Sequence, residues 1–250
     1  MSNEGPGTTC KGKVAIVTGA AGKGMGRSIA LSLAREGAKV VVNYRASKLN
    51  AEEIVSHIAG RGAEAIAVQA DVFTANGCKS LFDAAISRFG QVDICIIGPG
   101  GGWHPEPPDK LNSAAALADA ESELAPIFHL LPLVLPGMYD RRWGRIVGIS
   151  LLPPFNSPAY AYNVAKAART NALLLAKGQA WAKGVTVNII APGPVAEIET
   201  LEQAIEFCDR GPAWQGRSNV SPQDIAEGVA FLCSDAARFI TGCELPFMYR

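Results

Sequence analysis

The feature that most constrains this chain is a rhythm: short β-branched apolar runs alternate with longer helical patterns. The runs are KVAIVT (13–18), AKVVVN (38–43), EAIAVQA (64–70), VDICII (92–97), GRIVGIS (144–150) and VTVNIIA (185–191). Strands separated by helical stretches lie parallel, because each helix returns the chain across the sheet before the next strand begins. Their near-continuous apolar character suits a sheet covered on both sides. The fold class is therefore α/β: a doubly wound parallel sheet with helices on both faces. Between the runs, GRSIALSLAREG and AARTNALLLAKGQAWAKG carry helical spacing and stop at Gly37 and Gly184, which suit left-handed C-caps. No internal repeat, low-complexity tract or linker interrupts the pattern. Residues 1–10 read as a flexible lead and residues 11–250 as a single domain, long enough to bury a sizeable core.

Composition narrows the partners. The formal net charge is zero and no basic stripe is present, which argues against nucleic acid, since phosphate binding draws on clustered Lys and Arg. A small-molecule substrate is expected instead. The opening MSNEGPGTTCKGK has no apolar core of a signal peptide. The most apolar stretch, LAPIFHLLPLVLPGM (124–138), is shorter than the roughly 20 residues of a spanning helix and contains three prolines. It reads as a kinked core helix, with no membrane partner. Six cysteines stand without a CxxC pair and three histidines lie far apart, so neither a disulfide framework nor a zinc site is expected. A cytoplasmic location fits that pattern.

The first strand runs into TGAAGKGMGRSIA (18–30), which then becomes helical. Glycines at such a turn let backbone approach a pyrophosphate, which sits against the helix N-terminus and its partial positive charge. A Rossmann-like dinucleotide site is the functional reading; a tight turn without a ligand is the plain one. The second strand ends VVVNYRASK, offering Asn43, Tyr44, Arg45 and Ser47 but no acid for a ribose 2′-hydroxyl. Arg45 and Lys23 are the bases at hand for a 2′-phosphate, against a reading of both as solvated surface charges. NADP(H) is favoured over NAD(H).

From about Lys11 to Leu245 the sequence resembles the short-chain dehydrogenase/reductase family, and within it 3-oxoacyl-(acyl-carrier-protein)-reductase-like members. The family's opening pattern appears as Thr18, Gly19, four residues, then Gly24, Met25 and Gly26, one residue longer than usual. Asp71 and Val72 match its adenine-side pair. NIIAPGPV matches the segment that would set Pro192, Gly193 and Val195 near the nicotinamide. Tyr162 and Lys166 match its Y-x-x-x-K motif, and SPQDIAEGVAFLCSDAARFITG its penultimate helix and the approach to the last strand. The resemblance also implies a homo-oligomer, dimer or tetramer, through helices matching 112–139 and 159–183.

Spacing of four puts Tyr162 and Lys166 on one helix face. In the mechanism the resemblance implies, the lysine ammonium holds the nicotinamide ribose and lowers the tyrosine pKa, and Tyr162 exchanges a proton with substrate. Around this pair the sequence departs from the family. In place of N-N-A-G after the fourth strand stand Ile97, Gly98, Pro99 and Gly100; Gly98 keeps the close backbone approach without the side-chain amides. The family's helix asparagine aligns with Glu123, which either keeps a water, binds Lys166 directly, or is a partly solvated acid. The usual catalytic serine position aligns with Leu151, preceded by Ser150. Neighbouring strand residues point to opposite faces, so Ser150 serves catalysis only if the strand end twists or bulges. Ser157 is a weaker substitute.

The leading function is an NADPH-dependent, ketoreductase-like oxidoreductase acting on a carbonyl, with catalytic candidates Tyr162, Lys166, Ser150 and Glu123. One alternative is a C=C or C=N reductase, which places fewer demands on a serine. The other is a catalytically weak nucleotide-binding or regulatory protein of the same fold. GPGGGWHPEPPDKL and AEIETLEQAIEFCDRGPAWQGR are expected to flank the substrate, the second as a mobile lid. Trp103, His104 and Trp214 are contact candidates, and Met248–Arg250 replace the family's final D-G-G.

Overall fold

The computed structural model describes residues 9–102, 104–151, 158–212 and 219–247. In chain order the elements are β1 (Val14–Val17), α1 (Met25–Arg35), β2 (Lys39–Tyr44), α2 (Lys48–Gly60), β3 (Ala65–Gln69) and α3 (Ala75–Phe89). There follow β4 (Ile94–Ile97), α4 (Ser113–Arg141), β5 (Gly144–Ile149), α5 (Tyr160–Trp181), β6 (Val185–Pro192), α6 (Leu201–Arg210), α7 (Pro222–Cys233) and β7 (Glu244–Phe247). The seven strands form one parallel sheet in the order β3-β2-β1-β4-β5-β6-β7. Each of the six apolar runs supplies one strand, and the architecture is Rossmann-like.

Strand geometry explains how one sheet serves two cores. Ala15, Val17, Val40, Val42, Ile94, Ile96, Val147 and Ile149 bury on one face against α1, α2, α6 and α7. Their neighbours Ile16, Val41, Cys95, Ile97 and Ile146 bury on the other, against α3, α4 and α5. The period of two thus sends alternate side chains to opposite layers. Gly37 and Gly184 adopt left-handed backbone just past α1 and α5. The stretch 124–138 lies inside one helix, α4, that continues through Pro126, Pro132 and Pro136. Each proline removes one intrahelical hydrogen bond, which the packing of Ile127, Leu130, Val134 and Met138 into the core offsets. Among the described residues no helix is long and apolar enough to cross a membrane, and no His/Cys/Asp/Glu group is arranged to hold a metal ion.

β1 lies between β2 and β4, so the strand order reverses there and a crevice opens beyond the strand carboxyl ends. Thr18 ties the two sides together: its hydroxyl donates to Ile96 O at 2.8 Å and accepts from Gly98 N at 2.9 Å.

Candidate active site

The glycine turn forms the first wall of the crevice. Gly19 has φ +62°, and its N–H donates to Asn43 Oδ1 at 3.0 Å. A Cβ on Gly26 would lie 2.5 Å from Gly19 O, so the start of α1 packs directly on the turn and only glycine fits. Gly24 caps α1 and has open space where a side chain would be; Met25 is the first helical residue. A cleft of about 330 Å³ adjoins this turn, lined among others by Gly19, Gly22, Arg45, Asp71, Val72 and Gly100. Exposed backbone at a helix N-terminus, a cradle that a side chain would fill, and an uncharged β2 end together fit a dinucleotide.

Asn43 organises this wall, a role the sequence did not disclose. It is buried, and its amide donates to Ala70 O at 3.0 Å as well as accepting from the glycine turn. The ends of β1, β2 and β3 are thereby fixed to one side chain. Arg45 stands at the cleft with its guanidinium 5.7 Å from the Phe73 ring. Lys23 is not free: its ammonium pairs with Glu199, in the segment after β6. Asp71 Oδ1 accepts from Phe73 N at 3.1 Å, closing the turn that leads into α3.

The second wall holds Tyr162 and Lys166, on one face of α5. Lys166 Nζ lies 5.4 Å from the Tyr162 ring centroid. The same ammonium contacts Glu123 Oε1 at 2.8 Å, so the α4 carboxylate binds the lysine directly. Glu123 Oε2 meets Arg169 Nη1 at 3.0 Å, and Oε1 accepts from Gly101 N at 2.8 Å. Arg169 is fully buried and also donates to Ile97 O at 2.6 Å and Pro99 O at 2.7 Å. The sequence reading missed Arg169. The signal was there: positions 162, 166 and 169 share one helix face at the spacing i, i+4, i+7.

The electrostatics follow from burial. Burial pushes the Tyr162 phenol above its ordinary pKa, Glu123 adds to that shift, and Arg169 opposes it. Burial and Arg169 push the Lys166 ammonium down, against the attraction of Glu123. The net shift of the Tyr162 phenol is thus upward, opposite to the lowering by Lys166 that the resemblance implies, and Arg169 is the charge that opposes it.

Ser150 is held by the backbone of α5. Its hydroxyl donates to Lys166 O at 3.1 Å and lies 2.6 Å from Thr170 Oγ1, binding the end of β5 to the buried side of α5. Gly193 N donates to Phe247 O at 2.9 Å, and Val195 forms a bridge with Val220, fixing the segment after Pro192 beside β7. His104 is joined to Asp119 at 3.3 Å. The described part of the α6 segment is tied to the body of the fold: Arg35 donates to Cys208 O at 2.6 Å, Arg27 to Ile198 O at 2.5 Å, and Arg61 pairs with Asp209. Residues 1–8, Trp103, Ser157, Trp214 and Met248–Arg250 lie outside the described residues.

A crevice of this kind beside a Tyr/Lys helix defines a class, the nicotinamide-dependent oxidoreductases built on a doubly wound sheet. Residues 19–247 match the family described as Enoyl-(Acyl carrier protein) reductase. The chain is 34% identical over 239 residues to the 3-oxoacyl-(acyl-carrier-protein) reductase FabG of Staphylococcus epidermidis, covering 92% of this chain and 95% of that one. It is 36% identical over 248 residues to an oxidoreductase of Methylorubrum extorquens, covering 93% and 94%. Among solved structures, a 7α-hydroxysteroid dehydrogenase in complex with NADH and 7-oxo glycochenodeoxycholic acid superimposes with a TM-score of 0.82 at 32% identity, covering 96% of this chain and 94% of that one. A hydroxysteroid dehydrogenase from Escherichia coli gives 0.78 at 31%, covering 96% of each. The chain belongs to the short-chain dehydrogenase/reductase family and is 3-oxoacyl-(acyl-carrier-protein)-reductase-like.

Proposed function

We propose that this protein is an NADPH-dependent reductase of a small-molecule carbonyl, with Tyr162 as the proton donor. The observation that carries the reading is the Tyr162/Lys166 pair on α5, whose lysine is joined through Glu123 to the 99–101 loop that borders a cleft suited to a dinucleotide. Bound NADPH would supply the hydride. The chain would supply everything else. Gly19, Gly24, Met25 and Gly26 present backbone to the pyrophosphate, and Asp71 and Val72 line the adenine side. Gly98, Pro192, Gly193 and Val195 flank the nicotinamide. Lys166 holds the ribose, and Tyr162 delivers its proton to the oxygen of the reduced substrate.

Preference for the 2′-phosphate rests on Arg45. Asn43 at the end of β2 is neutral and already hydrogen-bonded, so no acid opposes a phosphate there. Lys23 joins only by exchanging Glu199 for the phosphate. Both FabG, named for a 3-oxoacyl substrate, and the solved dehydrogenase with its 7-oxo ligand support a carbonyl substrate.

A second reading has its own support. With the Ser150 hydroxyl engaged by α5, polarising a substrate carbonyl would require it to exchange those bonds, whereas reduction of a conjugated C=C bond, by hydride from the cofactor and a proton from Tyr162, makes fewer demands on a serine. The matched family's description as an enoyl reductase points the same way. The exposed apolar residues Leu117, Phe128, Val164 and Leu175 on α4 and α5 support assembly into a homo-oligomer through those helices. Residues 11–250 act as one domain in this reading, in the cytoplasm.

Turnover of NADPH with matched ketones, enones and imines tests the proposal. Ketone reduction supports the first reading and enone reduction alone the second. Turnover unchanged in Tyr162→Phe removes both. Because the acid form of Tyr162 does the work, the reductive rate should hold across neutral pH and fall only as pH rises through the elevated phenol pKa.

A further inference from the structure

Glu123 is a carboxylate with 1% side-chain exposure, held between Lys166 at 9% and Arg169 at 0%. Burying a charge is costly unless it is paired and its remaining sites are hydrogen-bonded. Most of these sites are met: Glu123 also accepts from Gly101 N, and Arg169 also donates to Ile97 O and Pro99 O, leaving only its Nε without a hydrogen-bond partner among the described residues. Glu123 paired with Lys166 alone would bring the cluster to zero net charge. Arg169 returns it to one positive charge, close to the phenol that must give up a proton.

The same two residues shape the wall of the cleft. Arg169 gathers the carbonyls at the end of β4, while Glu123 takes the N–H two residues past Pro99. Gly100 lies against the carboxylate so closely that a Cβ there would sit 2.2 Å from both of its oxygens. The path of 97–101 is therefore set by this ion pair rather than by side chains of the loop.

We propose that Arg169 is a positioning residue for the reaction. It offsets the field of Glu123 at Tyr162 and Lys166, and with Glu123 it fixes the loop 97–101 that borders the cleft. The inference rests on the proposed role of Tyr162 as proton donor. The charged groups acting on Tyr162 and Lys166 come from α4 and α5 and are those named: Glu123 raises the phenol and Arg169 lowers it. Asp119 and His104, beyond the loop, pair with each other and are not among the groups that shift Tyr162 or Lys166.

The test compares wild type with Arg169→Met, Glu123→Gln, the double variant Glu123→Gln/Arg169→Met and the conservative Arg169→Lys. The phenol ionisation is read in the cofactor-free protein by NMR of carbon-13-labelled tyrosine Cζ, with Tyr162→Phe assigning the signal. The pH profile of kcat is the second readout. Arg169→Met should move Tyr162 ionisation up by about one pH unit and lower kcat at neutral pH about tenfold; Glu123→Gln should move the ionisation down. The double variant, which keeps the cluster at one positive charge, should return near wild type, and Arg169→Lys should fall between. Unshifted ionisation in folded Arg169→Met overturns the proposal. So does a folded double variant whose phenol ionises as far from wild type as in either single variant. If Arg169→Met does not fold, the double variant and Arg169→Lys decide the matter by the same ionisation measurement. Wild-type turnover that survives Tyr162→Phe would instead defeat the reductase reading, while leaving the ionisation shifts standing.

Discussion

Asn43 and Glu123 occupy comparable places on opposite sides of the crevice. Each is buried beneath a glycine-containing turn and accepts a backbone N–H from it, Gly19 N at 3.0 Å and Gly101 N at 2.8 Å. Asn43 completes its bonding with neutral carbonyls at the ends of neighbouring strands, so the dinucleotide side stays uncharged beneath its rim. Glu123 completes its bonding with two cations. A neutral hub can lose one partner at the cost of one or two unmet hydrogen bonds. A charged hub exposes a whole unpaired ion when one member goes, so its members stand or fall together.

The largest effect should come from the catalytic side. Tyr162→Phe is expected to lower turnover by about 10²- to 10⁴-fold while cofactor titration by fluorescence changes little, because one hydroxyl and almost no volume is lost. Turnover above that range would break the assignment of roles between the two walls. Next, Arg169→Met should destabilise the fold by about 3–5 kcal/mol in denaturant unfolding, since Glu123 keeps its charge with only Lys166 beside it. Asn43→Ala should cost less, about 1–3 kcal/mol, and weaken binding of both cofactors alike as Gly19 loses its anchor. If the two substitutions cost the same, the distinction between neutral and charged hubs fails.

Two smaller effects sharpen the comparison. Arg45→Ala should reduce affinity for NADPH about 10- to 150-fold and leave NADH nearly unchanged, in line with the roughly 1.5–3 kcal/mol of a hydrogen bond to a charged group. Ser150→Ala should lower stability by about 1 kcal/mol through its lost bonds to Thr170 and Lys166 O, with turnover changed only a fewfold. A hundredfold loss of turnover would return Ser150 to the reacting centre.

What the sequence determined by itself was what depends on neighbouring residues. Near-continuous apolar runs such as VAIV, VVVNY and ICII, alternating with helical stretches, marked six strands and a parallel sheet buried on both faces. The glycine turn was legible because positive φ at Gly19 and the contact of Gly26 with Gly19 O are demands met within one turn of chain. Tyr162 and Lys166 were legible through the resemblance to the family's Y-x-x-x-K motif, with helical spacing accounting for their shared face. Tertiary structure decided what distant segments do to one another. Glu123 and Arg169 are 46 positions apart and meet only because α4 and α5 pack side by side. Lys23 and Glu199, 176 positions apart, meet because the segment after β6 folds onto the glycine turn. Ser150 was placed by α5, whose Lys166 carbonyl and Thr170 hydroxyl hold it at the end of β5. Periodicity is a property of the backbone and can be read locally, whereas the partner of a buried charge depends on which helices cross and how closely they pack.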